Sequence, residues 1–339
     1  MREGMKMGRN LGFNLDAEPL SHSPGSHVEW NESYYFAFYS KEQEFGAVTR
    51  LGFKPNKNEG MTFFLIFLPD GSVAVHQATE KIGSSNYPKE PRVNGMVHCR
   101  NEDGSWNYRF SGNMMLLKNP HDLLRIREQP TLISSVQKAE MNLKFTPINS
   151  VYEYSSHMTA ESRELGKKAG DAHWEQIAKV KGDVALGDHS FKLLNVLGQR
   201  DHTHGLRDWT GIGSWLYYVV WFSEKLAANP AAIISDDGKV STGGFIFENG
   251  RNIPITKIKV LDQQFSGEIF PVSSKLELLD VDGCTHIISG KAGPAVPIPF
   301  SDEKGQTSIL TQSFGTFEMD GVSGGYGTFE TLRAKRTSH

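Results

Sequence analysis

The sequence predicts an all-β protein: two antiparallel β-barrel or sandwich domains with few short helices. Three observations lead there. Glycine is in excess, with 34 residues in a chain of 339, against about 7% in an average protein. Aromatic side chains are plentiful, with 20 Phe, 10 Tyr and 6 Trp, and these fit pleated, half-buried surfaces. Turn signals recur about every 8–12 residues between short apolar runs, the spacing of a sandwich or barrel. No alternation of strand with long helix is visible, which disfavours a doubly wound sheet. The length suits two domains.

Residues 1–28, rich in Gly, Ser, Pro and Asn, read as an extended N-terminal arm. Residues 29–158 read as the first β domain. Its strands are Tyr34 to Tyr39, Phe45 to Phe53, Met61 to Leu68, Ser72 to His76, Trp106 to Leu117 and Met141 to Phe145. Pro69-Asp70-Gly71 makes the third and fourth a hairpin. Pro120 to Glu128 is a short helix candidate. Residues 159–170 read as a connecting helix, with Thr159 as cap, Glu161 in the first turn, Lys167 and Lys168 in the last, and Gly170 as the stop. Residues 171–335 read as the second β domain. There His173 to Lys181 and His189 to Leu197 flank a turn over 182–188, and Ser214 to Phe222 is strongly β. Asn249-Gly250, Asp280 to Gly283 and Asp320-Gly321 are later hairpin turns.

Composition narrows the function classes. Lys and Arg number 36 against 39 Asp and Glu, a net charge of −3, which argues against a nucleic-acid partner. The longest apolar runs, Met61 to Pro69 and Trp215 to Phe222, are too short for a membrane span. The first residues hold no apolar leader stretch, so a cytoplasmic location is expected. Cys99 and Cys284 are far apart with no CxxC, and are expected as free thiols. The glycine-rich stretch Gly321 to Gly327 lacks the Lys-Ser/Thr ending of a phosphate loop, so no nucleotide cofactor is expected.

The densest chemistry lies in Gly198-Gln199-Arg200-Asp201-His202-Thr203-His204-Gly205-Leu206-Arg207-Asp208-Trp209. Three readings are open. In the first, Arg200 and Arg207 pair with Asp201 and Asp208 in a buried polar cluster. In the second, an imidazole and a neighbouring carboxylate transfer protons near neutral pH. In the third, His202 and His204, on one face of a strand, hold a metal. Upstream, His173 and Glu175 share a strand face opposite Trp174 and Gln176, and Glu175 could pair with a histidine across a hairpin. Trp215, Tyr217, Val219 and Trp221 share one face of the next strand, and Leu216, Tyr218, Val220 and Phe222 the other. Both faces are apolar, which fits core packing or the wall of a greasy cavity.

The stretch from Gly198 to Trp209 resembles the Gly-x-x-Arg-Asp-His-Ser-Trp-Gly-x-Arg-x-Trp signature of the carotenoid 1,2-hydratase (hydroxyneurosporene synthase) and AttH-like superfamily. Trp30-Asn31-Glu32-Ser33-Tyr34-Tyr35-Phe36, Arg50 to Asn56, Trp174-Glu175-Gln176 and Gly325 to Glu330 resemble further pieces in the same order. The resemblance implies two lipocalin-like domains and a hydratase, lyase, isomerase or cyclase working on an apolar isoprenoid or polycyclic substrate. Thr203 and His204 replace the family's Ser and Trp. The family's later catalytic Tyr and Asp have only Tyr217, Tyr218 and Asp236 as loose counterparts.

The expected catalytic set is His202, Asp201, His204 and Glu175, with Asp201 positioning His202. Trp174, Trp209, Trp215, Tyr217 and Tyr218 are expected to bind substrate, and Arg200, Arg207 and Asp208 to support them. Neither an organic cofactor nor a resident metal is expected in this scheme. A non-catalytic lipophilic-ligand carrier and a metal-dependent enzyme using His202 and His204 are the alternatives, and a homodimer is allowed for.

Overall fold

A computed structural model describes residues 18–82, 90–235 and 237–335. Strands β1 (Trp30–Ser40), β2 (Phe45–Lys54), β3 (Glu59–Phe67) and β4 (Val73–Glu80) form an antiparallel meander. The β3–β4 turn is the predicted one: Gly71 takes φ 81°, and the Asp70 carboxylate accepts the Ser72 N–H at 3.0 Å. Short strands β5 (Arg92–Val93) and β6 (Met96–Arg100) lead to β7 (Trp106–Leu117), β8 (Ser135–Pro147) and β9 (Tyr152–Glu153). Helix α1 (Ala160–Gly166) follows, and the Thr159 hydroxyl caps it by accepting the Ser162 N–H. It stops four residues before the expected Gly170. The other helix candidate is only a 3-10 turn over Pro120–Leu124.

Next comes a long hairpin of β10 (Ala172–Leu186) and β11 (His189–Leu206). It was expected to open the second domain. Instead it belongs to the first sheet, with β11 between β1 and β10, and β10 against β8. The reason is burial: Ala178, Val180, Val184, Leu186 and Leu193 complete the first domain's core. β4 also pairs with β7, so β4, β3, β2, β1, β11, β10, β8 and β7 close on themselves. The second unit starts at Ser214. It is a closed antiparallel barrel of β12 (Ser214–Ser223), β13 (Leu226–Ile234), β14 (Val240–Glu248), β15 (Arg251–Ser266), β16 (Phe270–Asp280), β17 (Thr285–Ser301), β18 (Thr307–Met319) and β19 (Val322–Lys335). The fold is all-β and lipocalin-like, as the sequence predicts.

Strand alternation sorts the apolar residues into three cores. Tyr34, Phe36 and Phe38 of β1 point into the first barrel. Leu216, Tyr218 and Val220 of β12 point into the second. Tyr35 and Ala37, with Trp215, Tyr217, Val219 and Trp221, meet in a third core between the barrels. The double apolar face of β12 is thus buried on both sides.

One glycine shows how closely the second barrel is packed. Gly244 on β14 has φ 106°, and a Cβ there would lie 1.7 Å from the Asn229 carbonyl oxygen on β13. Gly244→Ala must strain the backbone and break this pairing. A destabilisation of about 2 kcal/mol or more is expected in a urea titration.

Candidate active site

β11 carries the motif from Gly198 to Leu206 as extended strand, so Arg200, Asp201, His202 and Thr203 face alternate ways. Register fixes which way. Asp201 lies opposite Tyr35 of β1 and Glu175 of β10, on the face toward the second barrel. His202 lies opposite Tyr34 and Trp174, on the face inside the first barrel. The expected Asp201–His202 pair is therefore not formed. Glu175 likewise pairs with His173, at 2.8 Å, and not with a histidine of the motif. The expected catalytic set is split across a sheet.

The interbarrel face opens on a cavity of about 260 Å³ lined by both barrels and by α1. Asp201, His173, Tyr217, Trp209, Trp215 and Arg207 line it. Tyr217 donates its hydroxyl to Glu175 and accepts from the Gln199 amide at 2.8 Å. His173 uses its other ring nitrogen on the Thr203 hydroxyl, at 2.8 Å. Burial holds His173 neutral, with its pKa down at about 4. Burial drives the Glu175 carboxyl well above the usual range, and pushes Asp201 up to about 6. Glu330, on β19, is pushed up to about 7 by burial. It accepts from the Trp215 indole at 2.9 Å and from Gln312. Asp201 differs from the other two acids in making no hydrogen bond among the described residues.

The opposite face is a sealed polar network. Glu18, in the arm, takes two hydrogen bonds from the Arg200 guanidinium, at 2.5 and 2.6 Å. Arg200 also reaches Gln176. His202 lies between two carboxylates, Glu18 at 3.1 Å from Nδ1 and Glu32 at 2.9 Å from Nε2. Burial would discharge both partners. The Arg200 charge and the His202 hydrogen bonds nonetheless hold Glu18 down at about 2, and the two carboxylates raise His202. His204 stacks on His22 at 3.8 Å between centroids, and burial lowers it to about 4.

Of the other expected residues, Trp209, Trp215 and Tyr217 line the cavity. Trp174 packs instead against His22, His202 and His204. Tyr218 points into the second barrel, because it alternates with Tyr217. Arg200 pairs with Glu18, not Asp201. Arg207 sits 5.3 Å from the Trp209 ring centroid and forms no ion pair with Asp208. Asp208 closes the turn after β11 by accepting the Gly211 N–H at 2.9 Å. Asp236 lies outside the described residues, as do 1–17 of the arm. Sequence reasoning missed the part played by Glu18, His22 and Glu32, and the place of Tyr35 and Arg50 in the cavity. Tyr35 and Arg50 carried a readable signal: each stands on the same strand face as a neighbour in the third core.

Two sets of metal-type ligand atoms lie within 4.8 Å of one another among the described residues: His22, Glu32 and His202, and His173, Glu175 and Asp201. In the first, both His202 ring nitrogens are already engaged with the Glu18 and Glu32 carboxylates, so a metal would have to displace one of these hydrogen bonds. In the second, the Glu175 and His173 atoms are already engaged with each other, with Tyr217 and with Thr203, which leaves Asp201 as the only ligand with both oxygens free.

Among solved structures, the chain is similar to a candidate AttH from Nitrosomonas europaea, with 12% identity and a TM-score of 0.62, covering 99% of this chain and 100% of that one. It is also similar to kievitone hydratase from Nectria haematococca, with 9% identity and a TM-score of 0.55, covering 90% and 89%. CghA matches at 9% identity and a TM-score of 0.53, covering 92% and 89%. These likenesses show that the chain has the paired-barrel fold of the AttH-like proteins. No curated protein sequence matches it. Among the described residues, no helix is long and apolar enough to cross a membrane. Residues 16–335 match the family described as domain of unknown function (DUF7064), and with nearly the whole chain matched, this protein is a member of the DUF7064 family.

Proposed function

We propose that the protein is an acid–base enzyme acting on an apolar isoprenoid or polycyclic small molecule. It adds or removes water, or directs a related isomerisation or cyclisation, in the cavity between the barrels. The observation that carries this reading is Asp201. It is a carboxyl on the cavity wall, raised to about 6 by burial, with both oxygens free for a ligand. A carboxylic acid in that state can protonate a double bond and later take the proton back. The water that attacks the resulting cation gives up one proton to the Asp201 carboxylate, which restores the acid, while the hydrogen-bonded His173–Glu175–Tyr217 chain fixes the wall beside it. The solved kievitone hydratase and CghA share the fold, which supports the reading. His202 and His204 face away from the cavity and hold the Glu18, Glu32 and His22 contacts on the other side of the sheet.

The test is incubation with a panel of isoprenoid and polycyclic alkenes and their hydrated counterparts in ¹⁸O-labelled water, followed by mass spectrometry. Incorporation of one labelled water by the wild type but not by Asp201→Asn is expected. A panel left unchanged, with an unmodified lipophilic molecule retained in native mass spectra, would instead establish the carrier reading. His202→Gln is expected to lower the melting temperature yet leave turnover per folded molecule within about threefold of the wild type, since it touches no cavity atom.

A further inference from the structure

The proposed reaction leaves two cavity residues unexplained. Arg50 on β2 is 5% exposed and lines the cavity with Arg207. One Arg50 nitrogen donates to Asn31 at 3.2 Å, while Nη1 is buried with no partner. The Arg207 Nε is also buried without a partner. Neither guanidinium forms an ion pair among the described residues. Asp201 and Glu330 act on both only through space. Both lie against one indole, with Arg50 at 5.2 Å and Arg207 at 5.3 Å from the Trp209 ring, and the Arg207 charge is felt at Arg50. Burial and the Arg207 charge bring Arg50 down to about 9, so it remains a cation at neutral pH.

Two like charges held together in a dry wall, each with an unused N–H, are costly unless an anion joins them. The adjoining acids Asp201 and Glu330 form no hydrogen bond to either guanidinium among the described residues, so the unused N–H groups stay open to an anion. The sequence also makes room for this arrangement. Residue 52 is glycine, and a Cβ there would lie 2.3 Å from Arg50 Nη1. The missing side chain leaves the guanidinium its place.

We infer that Arg50 and Arg207 form a subsite for a carboxylate, so that the cavity takes an apolar molecule with one anionic head. Guanidinium groups bind carboxylates through paired, charge-assisted hydrogen bonds. The anionic head would anchor at the Arg50–Arg207 end, with the apolar body reaching Asp201 and the tryptophans. This rests on the proposed function only in using the same cavity.

The test is isothermal titration of the purified full chain with 2-naphthoate and with uncharged 2-naphthalenemethanol. The wild type is expected to bind the carboxylate about tenfold or more tighter than the alcohol. In Arg50→Met and in Gly52→Ala, which keeps the charge but displaces it, the preference is expected to shrink to about threefold or less. Equal wild-type affinities, no carboxylate binding at millimolar concentration, or a preference that survives in both variants would each overturn the subsite. The wild-type comparison needs no variant to fold. Because binding is read without turnover, an inert protein that prefers the carboxylate would keep the subsite and sink the enzyme. Turnover with no such preference would do the reverse.

Discussion

Asp201→Asn is expected to lower kcat by about two to four orders of magnitude, the usual contribution of a positioned general acid or base. KM should change little, because the amide is isosteric and the apolar walls remain. The expected pH dependence has a definite sign. The Asp201 carboxyl titrates at about 6 in the folded protein, so the proton-donating form dominates below that pH and is lost above it. Wild-type kcat/KM for alkene protonation should therefore fall as pH rises through about 6. Because the folded pKa is raised, ionising Asp201 also costs stability. The folded protein is favoured below the unfolded-state pKa, near 3.8, and that advantage is lost as pH rises through about 6. Asp201→Asn should accordingly melt at a higher temperature than the wild type at pH 8. A rise in stability together with a loss of turnover is the signature of a carboxyl kept for chemistry. Asp208→Asn, in the turn beyond β11, should show neither effect.

Arg200→Met is expected to destabilise the fold by about 3–5 kcal/mol, measured by denaturant titration, because it leaves the buried Glu18 carboxylate only its longer hydrogen bond with His202. The pair is almost wholly shielded, with side chains 2% and 3% exposed, so screening by solvent is slight. Two opposite linkages meet in this network. Glu18 is held down at about 2, so its contribution is present above its ordinary value near 4.5 and is lost as pH falls toward 2. His202 is raised, so its contribution is complete below about 6.5 and is lost as pH rises through its folded value. Stability from this cluster should peak in mildly acidic solution and decline on both sides. In Arg200→Met the acid side of that profile should flatten. A cost below about 1 kcal/mol would show that the arm residue Glu18 does not rest against Arg200 in solution.

The fold class was readable because its signals are local. Pro69-Asp70-Gly71, Asn249-Gly250 and Asp320-Gly321 each dictate a reversal, and the alternation along β12 announces two buried faces. Two barrels were readable for the same reason, but their boundary was not. The hairpin of β10 and β11 follows the connecting helix in sequence and returns to the first sheet in space. That choice is made by Val180, Val184 and Leu193 packing among first-barrel residues from Tyr34 to Phe145, and by β10 pairing with β8. Misplacing the hairpin had a consequence for the site. The period-2 rule had already put Asp201 and His202 on opposite faces, but only pairing with β1 shows which face meets the second barrel. Density of charged and imidazole groups marked the segment that brings Asp201 and Arg207 to the cavity wall. It could not separate the acid that faces a cavity from the histidine locked between Glu18 and Glu32, since those partners come from the arm and from β1.

The claim that most needs testing is that Asp201 is a free acid in the interbarrel cavity. Difference infrared titration of the protonated-carboxyl band, taken between wild type and Asp201→Asn, measures it directly. The account predicts a band that belongs to Asp201 and disappears with a midpoint at about pH 6. A band already gone near the ordinary aspartate value of about 4 would mean that burial does not hold Asp201 protonated in mildly acidic solution, and would contradict its role as the proton donor.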